Sequence, residues 1–159
     1  MTMSDALAVL LSDNHVVLKL RAATKVALLA DLARRAGALT GLPVATLQAA
    51  LTAREALGST GFGAGIAVPH ARIAGLANPC GLFARLDKPV PYDAIDGKPV
   101  DLVFLLLTPS GQDSTHLALL AAISRRLRDK TLADAVRKAA TPGQARCILV
   151  DAGRSAPVG

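Results

Sequence analysis

Tryptophan is absent from this chain, tyrosine occurs once and phenylalanine three times, so aromatics make up only 3% of 159 residues. The core must therefore be aliphatic, built from Ala, Leu, Val and Ile. The same scarcity removes the aromatic platforms on which single-stranded nucleic acids stack. Cysteine is almost absent too. Cys80 and Cys147 stand far apart without Cys-x-x-Cys spacing, so reduced, partly buried thiols are expected rather than a disulfide framework. Long apolar runs are also missing. The strongest, "LVFLLL" at 102–107, stops at Thr108-Pro109, far short of the roughly 20 residues that span a bilayer. The first residues, "MTMSDALAVLLSDNH", carry no basic n-region, and their apolar run breaks at Ser12 and Asp13. No signal peptide is expected, and the expected protein is soluble and cytoplasmic, without membrane insertion.

What is present points to an ordered domain. Hydrophobic residues are 52% and charged residues 19%, which excludes disorder on composition. The length suits one domain, read as 1–153 with a frayed tail at 154–159. The net charge is +6, which would suit an anionic partner. Yet the basic residues are spread along the chain. The densest cluster, Arg125, Arg126, Arg128 and Lys130, has Asp129 inside it and reads as a solvated helix face. No nucleic-acid partner is expected.

Helical and extended patterns alternate. Ser4 suits the cap of a first helix reaching Leu11, and "HVVLKL" (15–20) is β-rich. Thr24 reads as the cap of a helix with Val26, Leu29, Ala30 and Ala33 on one face, ended by Gly37. Pro43 suits the first turn of a second helix that runs to Leu57-Gly58. "CGLFARL" (80–86) and "VDLVFLLL" (100–107) read as buried strands, with the proline-rich 87–100 stretch between them as a loop. In 116–127, Leu117, Leu120, Ile123 and Leu127 share a helical face, with Asp113, Ser114 or Thr115 as its cap. Thr131 with Asp134 marks another helix start. "TPGQ" (141–144) combines a Thr cap, Pro at the first helical position and Gln three residues after the cap, so 142–151 reads as helix. This alternation predicts an α/β fold: a single domain with a mixed central β-sheet flanked by helices.

The segment "GSTGFGAGIAVPHARIAG" (58–75) concentrates the chemistry. It is no P-loop, because no Gly-Lys-Ser/Thr occurs. It is no dinucleotide fingerprint, because Ile66 holds the third glycine position and "IAVPH" is β-like rather than a helix start. Gly-x-Ser-x-Gly fails at Ser59, and His70, His116 and the cysteines lack zinc-ligand spacing. No cofactor and no metal is expected. As a mount, the segment makes sense. Glycines turn the backbone sharply, a short "IAV" strand fixes a direction, and Pro69 stiffens the chain before His70. A neutral imidazole is a competent nucleophile near pH 7. Phosphoryl transfer to it would need charge stabilisation, for which Arg54, Arg72 and His116 are candidates, with the hydroxyls of Ser59 and Thr60 assisting. On these residues alone, a His placed like His70 is more often a packed or surface residue than a nucleophile, and a helical His116 more often a capping or surface group than a catalytic one.

The stretch "REALGSTGFGAGIAVPHARI" resembles the phosphorylated-histidine segment of enzyme IIA components of the bacterial phosphoenolpyruvate-dependent phosphotransferase system, of the fructose, mannitol and nitrogen-regulatory type. That pattern runs Arg-Glu, then Gly-Ser-Thr-Gly-x-Gly-x-Gly-Ile-Ala-x-Pro-His, and every element is matched from Arg54-Glu55 to Pro69-His70. "DLVFLLLTPSGQDSTHLALLAAISRRLRD" is similar to the strand, loop and helix that carry a second histidine, and the resemblance extends over about residues 5 to 150. It implies His70 as phosphoacceptor, served by a histidine-phosphorylated carrier protein. It implies His116 as the second active-site histidine and Arg54 as the phosphate-stabilising arginine, with Arg72 less firmly matched. Ser59, Thr60 and the glycines would shape a shallow pocket, and an apolar rim from Phe62, Ile66 and Val68 would suit docking, with Ile66 and Val68 equally readable as core residues. "DGKPVDLVFLLLTP" looks most like the nitrogen-regulatory type, whose phosphorylation state controls targets such as potassium-transport or nitrogen-metabolism proteins. The alternatives are a sugar-specific enzyme IIA serving a fructose or mannitol transporter subunit, and a binding module that no longer transfers phosphate. His15 reads as structural.

Overall fold

The computed structural model describes residues 3–155. Six strands form one mixed sheet, ordered β1-β5-β6-β3-β2, with β4 also paired to β6. The strands are β1 (Val16–Leu20), β2 (Gly61–Gly63), β3 (Ile66–Ala67), β4 (His70–Ile73), β5 (Cys80–Val90) and β6 (Val100–Pro109). The helices are α1 (Met3–Leu10), α2 (Lys25–Thr40), α3 (Val44–Ala56), α4 (Asp113–Arg128), α5 (Lys130–Lys138) and α6 (Pro142–Ser155). The expected tail at 154–159 is helical as far as Ser155, and its last four residues lie outside the described ones.

The two central strands explain the near-continuous apolar run in the sequence. β5 and β6 are antiparallel neighbours, and both are covered on both faces. Val103, Leu105 and Leu107 of β6 pack with Leu28, Leu32, Leu47 and Leu51 of α2 and α3. The alternate residues Leu102, Phe104 and Leu106 pack with α1 and α4–α6 through Leu7, Ile123, Leu132 and Leu149. A strand buried on both sides shows no polar alternation, which is why 102–107 is uniformly apolar. β5 also continues through Lys88-Pro89 to Val90, where a loop was expected. The strand survives the proline because the ladder is irregular between the Arg85 and Val90 pairs, and bulges are where sheets tolerate proline.

Several sequence expectations shift in detail. α2 does not stop at Gly37. It runs to Thr40 and ends at Gly41, which takes the left-handed conformation at φ 76°. Gly37 lies inside the helix because a Cβ there would sit 2.8 Å from Val44 Cγ2; the glycine permits close α2–α3 packing. The buried face of α2 is Leu28, Leu29, Leu32, Ala33 and Ala36, whereas Val26 is exposed. Thr24 caps α2 as expected, accepting from Ala27 N–H at 3.1 Å. α4 starts at Asp113, so Asp113, Ser114 and Thr115 form its first turn instead of its cap, and Leu117 points outward. α5 is capped by Asp129, which accepts from the N–H groups of Thr131 and Leu132. Thr141 caps α6 as expected, its Oγ1 accepting from Gln144 N–H at 3.1 Å, but the return bond of the capping box shifts by one residue: Gln144 Oε1 accepts from Ala140 N–H at 2.8 Å rather than from Thr141 N–H. Ser4 falls within α1 and not before it.

The sheet edge carries the feature that positions the site. β3 and β4 lie end to end along the same side of β6, both parallel to it. Between them sit Val68 and Pro69. Proline has no N–H to give to the ladder, so pairing breaks there, while the Pro69 carbonyl still accepts from Leu106 N–H at 3.0 Å. His70 therefore opens a new short strand, where the sequence had suggested a position just past one. On β4 the buried residues are Ala71 and Ile73; His70 and Arg72 alternate with them onto the other, more open face.

Candidate functional site

The glycine-rich segment folds into a β-hairpin. β2 pairs antiparallel with β3, joined by Ala64 and Gly65 at φ 56° and 80°. Positive φ at both central residues is what a two-residue type I′ turn needs. Gly61 has a different role: a Cβ there would lie 2.9 Å from the Ala94 Cβ and 3.1 Å from the Tyr92 ring. The glycines thus seat the hairpin tightly on the 90s loop.

His70 is fixed by two bonds that demand the same tautomer. Its Nδ1 lies 2.7 Å from the Val68 carbonyl oxygen, an atom that only accepts, so Nδ1 carries the proton. Its Nε2 receives the Arg54 Nε–H at 3.1 Å, so Nε2 holds the lone pair. Burial lowers the His70 pKa, opposed by the Val68 carbonyl and reinforced by the Arg54 charge. The ring is neutral at pH 7 and half-buried, on the more open face of β4. Arg54 comes from the last turn of α3, and its Nη1 is anchored on the Gly58 carbonyl at 2.9 Å.

His116 approaches from α4. Its ring centroid lies 5.4 Å from that of His70, with the planes inclined at 56°. It is 1% exposed and its Nδ1 is 2.6 Å from Thr108 Oγ1 of β6. Burial pushes its pKa down to about 4, helped by the charges of Arg72 and His70. Arg72, two residues beyond His70, holds Asp113 at the start of α4, Nε to Oδ1 at 2.8 Å. The structure thus brings His70, His116 and Arg54 together, with Arg72 close by in a surface ion pair.

Ser59 and Thr60 do not take part as expected. The Ser59 hydroxyl donates to the Tyr92 carbonyl at 2.8 Å and accepts from Gly61 N–H. Thr60 turns inward to Glu55. Both are framework. Of the two readings of Ile66 and Val68, rim or core, the structure takes the core one. Ile66 and Val68 are 1% and 3% exposed and belong to the core, and Phe62 lies beneath the Arg128 guanidinium, 5.0 Å from its ring centroid. The apolar residues that do stand out near the site elements are Leu57, after Arg54 on α3, and Leu117, beside His116 on α4. Their helical patterns gave no signal, because an exposed Leu at helical spacing looks like a core Leu.

The sequence reading gave no role to the group behind Arg54. Glu55 is buried. It accepts from the Thr60 N–H at 3.0 Å and from the Thr60 hydroxyl, and pairs with Lys25 Nζ at 3.0 Å. Lys25 also lies over the Tyr92 ring, 4.5 Å from its centroid. The Tyr92 hydroxyl is 3.2 Å from Thr60 Oγ1, and burial together with Glu55 pushes its pKa up. Residues from α2, α3, the hairpin and the 90s loop meet here and lock the turn that carries Arg54. Among the described residues, no His, Cys, Asp or Glu cluster is arranged to hold a metal, and no helix is long and apolar enough to cross a membrane.

Comparison with known proteins agrees with this architecture. Residues 9–151 match the family described as phosphoenolpyruvate-dependent sugar phosphotransferase system, EIIA 2. A nitrogen regulatory protein of Bradyrhizobium diazoefficiens is 42% identical over 128 residues, 80% of this chain and 84% of that protein. One from Pseudomonas aeruginosa is 48% identical over 101 residues, 64% of this chain and 66% of the relative. The crystal structure of nitrogen regulatory protein IIA-Ntr from Neisseria meningitidis superposes with a TM-score of 0.87 at 34% identity, over 91% of this chain and 99% of that one. With its mixed sheet, flanking helices and a match spanning nearly its whole length, the chain belongs to the EIIA 2 family of the phosphoenolpyruvate-dependent sugar phosphotransferase system.

Proposed function

We propose that this chain is a phosphohistidine carrier of the nitrogen-regulatory type, accepting a phosphoryl group on His70 Nε2 from a histidine-phosphorylated carrier protein. The observation that carries this reading is the His70 tautomer. The Val68 carbonyl holds the Nδ1 proton, leaving the Nε2 lone pair on the open face beside Arg54 and His116.

In the transfer, the P–N bond to the carrier's imidazole breaks and its electron pair returns to that nitrogen, while the Nε2 lone pair of His70 forms the new P–N bond. The phosphoryl group is charged throughout, so catalysis is mostly positioning and electrostatics. Arg54 already donates to the attacking nitrogen and would move its hydrogen bonds onto phosphoryl oxygens. His116, kept neutral by burial, would donate a hydrogen bond without repelling the arginines. The site lies on a sheet edge, and Leu57 and Leu117 flank the residues it uses, which suits docking by another protein. The phosphohistidine is a stoichiometric intermediate: the chain is loaded and unloaded, not turned over on a small substrate.

Phosphorylation adds roughly two negative charges at this edge, so the two forms present different surfaces. The nitrogen-regulatory names of the relatives favour a regulatory output through target proteins, such as those of nitrogen metabolism or potassium transport, over sugar delivery.

The test uses enzyme I, the histidine carrier protein and phosphoenolpyruvate with wild type and His70→Ala, read by intact-protein mass. Gain of one phosphate in wild type and none in the variant is expected. Labelling that persists in His70→Ala, or no labelling of wild type by its cognate carrier, would overturn the reading. Transfer onward to a fructose or mannitol transporter subunit would instead favour the sugar-specific branch.

A further inference from the structure

Thr108 stands out on β6. The strand's other side chains from Leu102 to Leu107 are apolar, and Thr108 is itself fully buried. A hydroxyl placed there must find a partner or lose its hydration uncompensated. Its partner is His116 Nδ1 at 2.6 Å, and among the described residues this hydroxyl makes no other hydrogen bond. Thr108 is also the register partner of Arg72 on β4, so it sits in the strand pair that carries the site.

The direction of this one bond fixes the chemistry of His116. If Nδ1–H donated to the Thr108 oxygen, the hydroxyl proton would be buried with no acceptor. An orphaned donor in the interior is the costlier and rarer defect. If the hydroxyl donates to Nδ1, every proton at the contact is used, and only an oxygen lone pair goes without a partner. A neutral imidazole that accepts at Nδ1 carries its proton on Nε2. The low pKa of His116, about 4, agrees with a neutral ring at pH 7.

We infer that Thr108 is a positioning residue: its hydroxyl donates to His116 Nδ1, fixing His116 as the Nε2–H tautomer, so that the imidazole next to His70 faces the transferring group as a hydrogen-bond donor. The two histidines are then set to opposite tautomers by the backbone and by a side chain. His70 has Nδ1–H, held by the Val68 carbonyl, and offers a lone pair. His116 has Nε2–H, held by Thr108, and offers a proton. One is built to attack and the other to stabilise the oxygens of what is attacked. The functional half of this inference rests on the phosphocarrier reading; the tautomer half does not.

The experiment has two arms. In the first, long-range 1H–15N correlation spectra of the unphosphorylated wild type assign the ring nitrogens of His116 at pH 7. A pyridine-type Nδ1 and a pyrrole-type Nε2 are expected, with the Nδ1 resonance moving downfield, toward the value of a free pyridine-type nitrogen, in Thr108→Val. A protonated Nδ1 in wild type would overturn the inference whatever the transfer assay shows. In the second arm, Thr108→Val, Thr108→Ser and wild type are loaded from the phosphorylated carrier protein and the rate of mass gain is compared. Thr108→Val should slow loading by about fivefold, the effect of one neutral hydrogen bond that aligns a ring. Thr108→Ser, which keeps the hydroxyl, should restore it. Equal loading of Thr108→Val and wild type, or equal impairment of the Ser and Val variants, would overturn the positioning role. Failure of wild type to load at all would refute the carrier reading and the role with it, leaving the tautomer to the first arm.

Discussion

Arg54 and Glu55 are neighbours on α3, yet they enter opposite environments. Arg54 reaches a half-buried histidine on an open sheet edge. Glu55 turns into a closed cluster where Lys25, Thr60 and Tyr92 satisfy it from other elements. The first region is the one proposed to change its charge. The free nitrogen of His70 has one donor, Arg54, and its second imidazole, His116, is held neutral. The second region is built to keep its charge, with each buried polar group paired. Among the described residues, no buried side-chain polar atom lacks a partner. A site proposed to accept a phosphoryl group needs a frame that does not respond to it, and the one-residue step along α3 separates the two.

Removing the frame should have the largest effect. Glu55→Ala leaves Lys25 and both the N–H and the hydroxyl of Thr60 without their acceptor, and breaking a buried pair in this way costs about 3–5 kcal/mol. Urea unfolding should show that loss. A variant of unchanged stability would mean the cluster is not the frame. Arg54→Leu tests the other side. Loading from the carrier should fall by about a hundredfold, the scale for losing one charge-stabilising donor, with the urea midpoint nearly unchanged. An equal loss of stability would erase the distinction between the two residues.

The third prediction concerns pH. The His116 pKa is lowered from 6.5 to about 4 in the folded state. Between those values the unfolded chain binds the extra proton, so stability rises with pH and is lost as pH falls from 6.5 toward 4. From pH 7 to pH 5 this amounts to about 2 kcal/mol. His116→Gln should flatten that part of the stability profile relative to wild type, and parallel profiles would show that His116 is not held neutral by burial. The smallest effect belongs to the rim. Leu57 and Leu117 are 85% and 59% exposed, so Leu57→Ser and Leu117→Ser should leave stability alone. Each should raise the apparent KM for the carrier by about fivefold, the value of a partly buried leucine in a docked interface. An unchanged KM would place the docking surface elsewhere.

Much of the fold was legible. The α/β alternation, the Thr24 cap and the Thr141 cap are local chemistry, decided within a few residues of sequence. The helix faces of α2 and α4 were misjudged at Val26 and Leu117. Helical spacing cannot tell an apolar residue that packs on a sheet from one that faces outward, and the sheet decides which. Gly37 looked like a stop signal because its reason for being glycine, the Val44 side chain, belongs to another helix. Val90 joined a strand across a proline because the ladder there was already irregular.

His70, His116 and Arg54 could be picked out from the linear pattern because the motif holds Arg54 and His70 in one stretch and His116 in a second recognisable segment. By itself the sequence determined most of the helices, the long central strands, the glycine turns and the stiff proline before His70, since backbone restrictions act on the residue that carries them. It did not determine which nitrogen of His70 is free, what holds His116, or that Lys25, Glu55, Thr60 and Tyr92 form one group. Those were decided by the tertiary structure, because tautomers and buried charges are set by neighbours in space, and here the neighbours come from strands and helices far apart along the chain.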